Sequence, residues 1–447
     1  MKNYLSFLLA LLLLPVFPAG TLAAGLTDAE TPIAAGETLF IKKMGVNYRT
    51  APTPPVYADD KLLTVSGRRL YRLDAKTGDI LQSVALAGAT MYTVASPTAA
   101  DGKIFVPLDD GVIQALDSKS LTPLWIYRDP LGGQALTCVL YEDGYLYTGF
   151  WNAETEEANY VCLSAADDDP AKQDEEKKAI WTYTAPGGFY GAGACTYGKY
   201  LLFGGDDGVR GSDGASRITA LNKKTGAFVS ALQTQGDLRS ETVYCEENDR
   251  FYICSKAGFL YRFRCDGKTG KLTDLASYTA QGGMTAAPVI FGGRLYTGCR
   301  TQTGGALLVL DADTLEEIYT ADMPGYPQAK MTLSTAYYTR TGKVLVYATC
   351  NAPPGGIVLF TDKAGQTAGD RTDLFTPPAD AQQYCISPIS VSPDGTLYYK
   401  NDSGCIFAVK SDGVQLDAVT RFLQKLKAFL AACAARWDIL FKRRAKQ

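Results

Sequence analysis

The 447-residue sequence contains no histidine, and this absence narrows the chemistry open to the chain. Imidazole is the usual general base near neutral pH and the commonest nitrogen ligand of metal ions, so other residues would have to fill both roles. A dominant charge is lacking too, because 44 Lys and Arg stand against 47 Asp and Glu, a net charge of −3. This balance provides no overall field for nucleic acid or for an acidic substrate.

Paired cysteine motifs are also absent. The eleven cysteines include no Cys-x-x-Cys and no adjacent pair, and an odd number leaves at least one thiol unpaired within the chain. Most of them lie inside apolar strand patterns, where a small buried thiol is the ordinary role. Cys245 and Cys254 could face each other across a predicted hairpin and form a disulfide.

The first apolar run is too short to span a membrane. It extends from Tyr4 to Phe17, about 14 residues, whereas a spanning helix needs about 20. Lys2 precedes it and the small residues 23–25 follow it, which predicts a signal peptide over residues 1–25 with cleavage between Ala23 and Leu26. An uncleaved anchor is the alternative. No cysteine lies there for a lipid anchor, and in either case we expect an exported, periplasmic or extracellular protein.

A repeated unit of about 40–55 residues determines the predicted fold. Each copy has short apolar strands separated by tight turns, such as Asp101-Gly102, Asp143-Gly144 and Asp394-Gly395, which supply the positive φ that hairpins need. The clearest copies cover residues 58–78 and 101–117, and eight copies can be counted. Four short strands per copy, stacked radially, leave only protected edges. The sequence predicts an all-β, eight-bladed β-propeller over residues 37–412, after a linker at residues 26–36.

The ends of the repeats predict how the ring closes. The last copy stops after Lys410 and lacks an outer strand, whereas a strand-like segment at residues 37–44 precedes the first copy. We therefore expect the N-terminal strand to complete the last blade.

The repeat resembles the pyrroloquinoline-quinone (PQQ) type. Residues 73–78, Leu-Asp-Ala-Lys-Thr-Gly, match the strand end and turn of that family, and Trp125 and Trp181 occupy its outer-strand position. In repeat type the chain also resembles the propeller lipoproteins of outer-membrane barrel assembly, although it lacks their lipid-attachment cysteine. The resemblance covers about residues 37–412 and implies a scaffold that binds a ligand or protein.

PQQ-dependent dehydrogenases of the same family are the alternative. Their pattern places an adjacent-cysteine disulfide and a Trp around the cofactor, with Asp, Glu and Asn around a Ca²⁺ ion. This chain has no adjacent cysteines and no Trp in the blade entries. We therefore expect neither PQQ nor Ca²⁺, no metal site and no catalytic residues.

Acidic segments offer weaker candidates. Residues 206–214 could hold Ca²⁺ through carboxylate and carbonyl oxygens but lack the regular ligand spacing. Asp pairs such as Asp59-Asp60 are typical of turns. The charged insertion at residues 166–179 is interpreted as a solvated loop.

The loops that enter the innermost strands predict a binding site. Such loops line one mouth of a propeller's central channel, and here they carry aromatic, Met and charged residues that are enriched in binding sites. The alternative for each residue is packing on the neighbouring blade. The candidate binding residues are Tyr92, Gln134, Tyr190, Arg239, Glu241, Met284, Lys330 and Tyr384.

Residues 413–447 change to helical periodicity. Apolar side chains recur on one face and basic ones on the other, which is typical of an amphipathic helix lying in a membrane interface. Arg436 and Asp438 exclude a membrane span, and a helical partner or packing on the propeller are the alternatives. We expect a monomer that binds no nucleic acid. The membrane- or partner-facing side chains are Phe422, Leu426, Phe429, Trp437 and Phe441.

Overall fold

The computed structural model describes residues 25–34, 37–90, 95–211 and 214–410. Almost all of the expected signal peptide, the candidate Tyr92 and the expected C-terminal helix lie outside these residues. The regular secondary structure of the described residues is almost entirely β-strand. Its helical segments are α1 (Tyr338–Thr341) and two 3₁₀ turns at Tyr48–Thr50 and Ala379–Ala381. Among the described residues, no helix has the length and apolarity needed to cross a membrane.

The strands run in chain order as follows. The first ten are β1 (Leu26–Thr27), β2 (Glu37–Lys43), β3 (Val56–Ala58), β4 (Lys61–Ser66), β5 (Arg69–Asp74), β6 (Ile80–Ala85), β7 (Thr98–Ala100), β8 (Lys103–Leu108), β9 (Val112–Asp117) and β10 (Pro123–Arg128). Next come β11 (Leu140–Glu142), β12 (Tyr145–Gly149), β13 (Ala158–Ser164), β14 (Glu175–Lys177), β15 (Trp181–Ala185), β16 (Cys195–Tyr197), β17 (Tyr200–Phe203), β18 (Ala215–Asn222) and β19 (Phe228–Gln235). The next group is β20 (Val243–Cys245), β21 (Arg250–Cys254), β22 (Phe259–Cys265), β23 (Leu272–Thr279), β24 (Val289–Phe291), β25 (Arg294–Thr301), β26 (Gly304–Asp311) and β27 (Glu317–Met323). The last are β28 (Thr332–Ser334), β29 (Lys343–Ala348), β30 (Ile357–Lys363), β31 (Asp370–Phe375), β32 (Ser390–Val391), β33 (Leu397–Lys400) and β34 (Cys405–Lys410).

These strands form eight sheets, which confirms the eight-bladed propeller. Blade 1 contains β3–β6, blade 2 β7–β10 with β14, blade 3 β11–β13 with β15, and blade 4 β16–β19. Blade 5 contains β20–β23, blade 6 β24–β27, blade 7 β28–β31 with β1, and blade 8 β32–β34 with β2. The connections between blades and the hairpins between second and third strands lie at one end of the ring, called here the top face.

Turn chemistry and packing between blades explain why the repeats fold in this way. In the turn at Asp101 and Gly102 both residues have positive φ, 50° and 68°, as a type I′ hairpin requires. Large side chains of neighbouring blades share each core. Phe105 of blade 2, for example, lies in one cluster with Phe150 of the next blade. Because each blade buries its faces only against its neighbours, the repeats stabilise one another.

The ring closes through the N-terminal strand, as the sequence predicts. Strand β2 pairs antiparallel with β34, with Glu37 opposite Lys410 and Lys43 opposite Cys405. The ring of Phe40 lies against Gly78 of blade 1, where an added Cβ would come within 2.6 Å of the ring. The first and last parts of the propeller are thus joined by one strand.

Residues 26–34, expected to form a linker, are built into the propeller instead. Strand β1 pairs in parallel with β28 and forms the inner edge of blade 7. Thr31 is completely buried, and the Tyr347 hydroxyl donates to the carbonyl oxygen of Pro32 at 2.6 Å. Backbone pairing along an inner sheet edge therefore fixes this segment.

The charged insertion of blade 3 is not wholly a solvated loop. Its residues Glu175–Lys177 form β14, which pairs in parallel with β10 and extends blade 2. Lys177 is buried, with its ammonium 5.4 Å from the centre of the Trp125 ring. The interpretation as a loop is wrong here because alternate residues of this charged strand face the protein and are paired.

The suggested disulfide does not form. The hairpin register places Cys245 opposite Arg250 and pairs Cys254 with Leu260 on the next strand. Both cysteines are buried free thiols. The predicted burial of the two cysteines is confirmed, whereas the predicted pairing across the hairpin is wrong.

Candidate functional site

The described candidate residues lie on the connections between blades at the top face. Each of them precedes the innermost strand of a blade. The structure brings together Tyr190 with Arg239, and Glu241 with Lys330, and separates Tyr384 from both pairs. The remaining two, Gln134 and Met284, contact other parts of the propeller through backbone pairing and core packing.

Arg239 is the centre of a buried network of ions. Its guanidinium donates to both carboxylate oxygens of Asp206, at 3.0 Å and 2.6 Å. It also lies 2.9 Å from a carboxylate oxygen of Asp237 and 3.3 Å from one of Glu154. The Asp206 side chain is 0% exposed and that of Arg239 only 8%. A pair at this depth needs such two-pronged geometry to offset the cost of removing both charges from water.

Two aromatic rings complete the network, which we call the Arg239 network. The guanidinium carbon lies 4.8 Å from the ring centre of Tyr190 and 5.8 Å from that of Trp151, within cation–π range. The indole N–H of Trp151 donates to Asp206 at 2.9 Å. Groups from blades 3, 4 and 5 are therefore fixed to one another at the top face.

Burial and like charges shift the acidity of this network. Burial, followed by the charge of Asp206, raises the pKa of Asp237 to about 7, although Arg239 opposes the shift. Burial also raises the pKa of Asp206. A hydrogen bond from the backbone of Gly211 lowers the pKa of Glu154. The network therefore shifts the pKa values of its carboxyl groups in opposite directions, upwards for Asp206 and Asp237 and downwards for Glu154.

Sequence reasoning found Arg239 and Tyr190 but missed their partners. Trp151, Glu154 and Asp237 were not candidates, and Asp206 was assigned to a turn or a weak Ca²⁺ loop. Asp206 lies 33 residues before Arg239 in another repeat. The only local signal was the Asp237–Arg239 spacing of two residues at a blade entry.

Glu241 and Lys330 form a second pair, across the channel mouth between blades 5 and 7. Their side chains meet at 2.9 Å. The Lys330 ammonium holds the pKa of Glu241 below its usual range. The added Cβ of Gly25 would lie 3.5 Å from Cε of Lys330, so the N-terminal segment passes beside this pair.

Gln134 and Met284 contribute to packing and pairing. The backbone of Gln134 makes two hydrogen bonds with Trp151, at 2.8 Å and 3.0 Å. Met284 is completely buried in the core shared by blades 5 and 6. Met284 thus packs against a neighbouring blade, whereas Gln134 pairs within its own blade 3.

Tyr384 is exposed on the rim of a cavity of about 520 Å³. The cavity, called here the Tyr384 pocket, lies at the top face between blades 7 and 8. The connection from blade 8 to blade 1 closes its third side. The walls include Lys43, Asn47, Tyr48, Asn351, Tyr384 and Asp402.

Among the described residues, the acidic side chains nearest Arg239 are engaged by protein groups and are not grouped as a metal site. Asp206 and Asp237 are already paired with Arg239, whose positive charge would repel a metal ion. Asp207 accepts a hydrogen bond from the backbone of Val209 at 2.7 Å. In the described part of the chain, no group of three or more Cys, Asp or Glu side chains is arranged to hold a metal ion.

Comparison with known proteins defines the class. The family model described as "Outer membrane protein assembly factor BamB", of PQQ-like repeats, matches residues 29–150. The chain is an eight-bladed propeller, and over these residues its repeats resemble the PQQ-like repeats of BamB. No curated protein matches it.

Solved structures show the same fold at low identity. BamB from Moraxella catarrhalis has 12% identity and a TM-score of 0.54, covering 84% of this chain and 99% of that one. Quinohemoprotein alcohol dehydrogenase from Comamonas testosteroni has 12% identity and a TM-score of 0.59, covering 87% and 79%. A europium-containing methanol dehydrogenase has 12% identity and a TM-score of 0.59, and the match covers 84% of this chain and 86% of that one. Both BamB and dehydrogenases thus share the architecture, and the fold alone does not distinguish between their functions.

Proposed function

We propose that this chain is an exported, non-catalytic scaffold propeller that presents its top face to a protein partner at the cell envelope. The observation that carries the proposal is the Arg239 network. Its three carboxylates are held by Arg239, by Lys256 and by hydrogen bonds within the protein, which makes this part of the top face a fixed structure rather than a set of reactive groups. The resemblance to BamB supports binding to a protein partner.

Exposed apolar side chains beside the network provide the contact surface. Val209, on the loop that carries Asp206, is 57% exposed, and Leu131 on the connection into blade 3 is 44% exposed. The carbonyl oxygen of Leu131 accepts from Asn152 at 3.2 Å, which places it beside the loop of Trp151. Rigid, partly apolar surfaces of this kind lose little entropy when they bind a partner.

Site-specific crosslinking tests this surface. A photo-crosslinking amino acid at Val209, introduced in the source cells, should give one defined protein adduct. The matched control is Ile180, which is similarly exposed at 48% but precedes β15 at the opposite face. Equal adducts at both positions, or none at Val209, would contradict the proposed face.

The C-terminal segment 413–447 is proposed to hold the protein at a membrane surface. The proposal rests on its amphipathic sequence pattern, with a basic face opposite the apolar one. The chain ending at Asp412 should lose sedimentation with anionic liposomes while the full chain retains it. If the shortened chain still sediments, attachment lies elsewhere.

The alternative function is a PQQ-dependent dehydrogenase. The structural likeness to such enzymes favours it, whereas the paired carboxylates and the absence of adjacent cysteines do not. Binding of PQQ with Ca²⁺ separates the two functions directly.

A further inference from the structure

The Tyr384 pocket has walls that are fixed before any ligand enters. On one side, the amides of Met44 and Gly45 donate to the carbonyl oxygen of Gly404 at 2.8 Å and 3.0 Å. Lys43 donates to the carbonyl oxygen of Ser403 at 2.5 Å. An added Cβ at Gly404, whose φ is 85°, would lie 2.4 Å from backbone atoms of Gly45. This close approach requires glycine and holds the crossing loop against blade 8.

The remaining walls are equally constrained. The side chain of Asn47 accepts from the amide of Arg49 at 3.0 Å and caps the turn that carries Tyr48. On the opposite side, the amide of Asn401 donates to the carbonyl oxygen of Ala381 at 2.8 Å, beside the loop of Tyr384. Ligand sites are usually preformed in this way, and a cavity of about 520 Å³ is of the usual size for a small molecule.

The charges of the pocket favour a neutral ligand. The residues that line the pocket include one cationic side chain, Lys43, and two carboxylates, Asp380 and Asp402. Asp402 is paired with Lys400 at 3.1 Å. Charges of both signs therefore offset each other, so the pocket lacks the concentrated field that captures phosphate or a polycation.

The rest of the lining combines exposed rings with amide groups. Tyr48, Tyr384 and Val46 are 46%, 47% and 73% exposed, respectively. The amides of Asn47, Asn351 and two glutamines, Gln382 and Gln383, supply both donors and acceptors between them. The Asn351 amide is oriented by a hydrogen bond to Gln328 at 2.7 Å.

We propose that the Tyr384 pocket binds a neutral saccharide. A pyranose ring has apolar C–H faces, which pack on aromatic rings, and equatorial hydroxyls that both donate and accept hydrogen bonds. Tyrosine rings at the rim and amides and carboxylates in the walls match these two features. The proposal is independent of the protein-binding face at Val209, because the two surfaces use different blades.

Isothermal titration of the full chain with neutral disaccharides tests the proposal. The probes are cellobiose, maltose and N,N′-diacetylchitobiose, each at up to about 10 mM, where weak binding is still measured. At least one should bind with a stoichiometry of one. Tyr384→Ala should weaken that binding about tenfold, since loss of one ring contact costs up to about 1.5 kcal/mol. Tyr384→Phe, which keeps the ring, should retain most of it.

Tyr145→Ala is the matched control. Tyr145 is also an exposed tyrosine, at 39%, but it begins β12 at the opposite face, so its removal should leave saccharide binding unchanged. Melting temperatures of all variants show that they fold. Absence of binding by every probe, or binding equally strong in Tyr384→Ala, would overturn the proposal.

Discussion

Arg239 on the entry to blade 5 holds Asp206 of blade 4 by a bidentate hydrogen-bonded ion pair, with its shortest contact at 2.6 Å. The pair is buried and also bonds Trp151 of blade 3 through the same carboxylate. A residue that the sequence presents as a surface anchor is thus a connection between three blades.

Arg239→Ala should destabilise the protein strongly. The substitution leaves Asp206 as a buried charge without its partner, which typically costs about 3–5 kcal/mol. Arg239→Lys should recover only part of this, because an ammonium cannot reproduce the bidentate geometry. Urea unfolding monitored by circular dichroism measures both. An unchanged unfolding midpoint in Arg239→Ala would mean that the network contributes little to stability.

Stability should fall as the pH rises towards and through neutrality, because of Asp237. Burial and the charge of Asp206 raise its pKa from 3.8 to about 7 in the folded protein, with Asp207 also raising it and Arg239 opposing. When folding raises the pKa of a carboxyl group, the protein keeps its full stability at pH values below the pKa of the unfolded state. That stability is lost as the pH rises towards and through the pKa of the folded state.

Asp237→Asn tests this pH dependence. The variant removes the ionisation, so its melting temperature should exceed that of the wild type at about pH 8. The gain should shrink progressively towards about pH 4, where the wild-type carboxyl is protonated in the folded state and half protonated when unfolded. An identical difference at both pH values would show that Asp237 does not titrate as described.

Ring closure can be tested with two glycines of similar φ. Gly78 (φ 72°) faces the ring of Phe40, whereas nothing lies within 4 Å of an added Cβ at Gly102 (φ 68°). Gly102→Ala should cost only the strain of the left-handed conformation, about 1–2 kcal/mol. Gly78→Ala should cost more, because Phe40 of the closing strand must move as well. Equal losses in thermal unfolding would show that Phe40 yields freely and that this contact does not support closure.

Lys177 provides a fourth test, at the strand that extends blade 2. Its ammonium pairs with Glu175 at 3.3 Å and with Asp168. Lys177→Met keeps the packing on Trp125 but leaves Glu175 nearly buried without its cation, so we expect a lower unfolding midpoint. The control Lys178→Met alters an exposed neighbour and should change little. Equal stability of the two variants would indicate that β14 does not depend on its charges.

The repeat pattern was sufficient to predict the propeller because the strands and turns that define a blade are close together in the sequence. Most strands and turns of a blade lie within one repeat, and the surplus strand at Glu37–Lys43 could be matched to the blade that lacked one. Strand β14 was not predicted, because its three residues are all charged and a run of charged residues is typical of a solvated loop. Its partner Trp125 lies 50 residues earlier, opposite Glu175 in the register.

The candidate site was predictable only in part for a related reason. Blade entries were correctly expected at the top face, so Arg239 and Tyr384 could be selected. Their surroundings come from several repeats at once, as with Trp151 and Asp206 around Arg239. The spacing of residues within a repeat does not indicate which side chains of different blades come into contact.

A native mass spectrum of the exported chain mixed with PQQ and Ca²⁺ tests directly whether this propeller is a scaffold rather than an enzyme. We expect an unchanged protein mass, because the carboxylates of the Arg239 network are paired and the sequence has no adjacent cysteines. A stoichiometric adduct of PQQ with Ca²⁺ would contradict it and would support the dehydrogenase function.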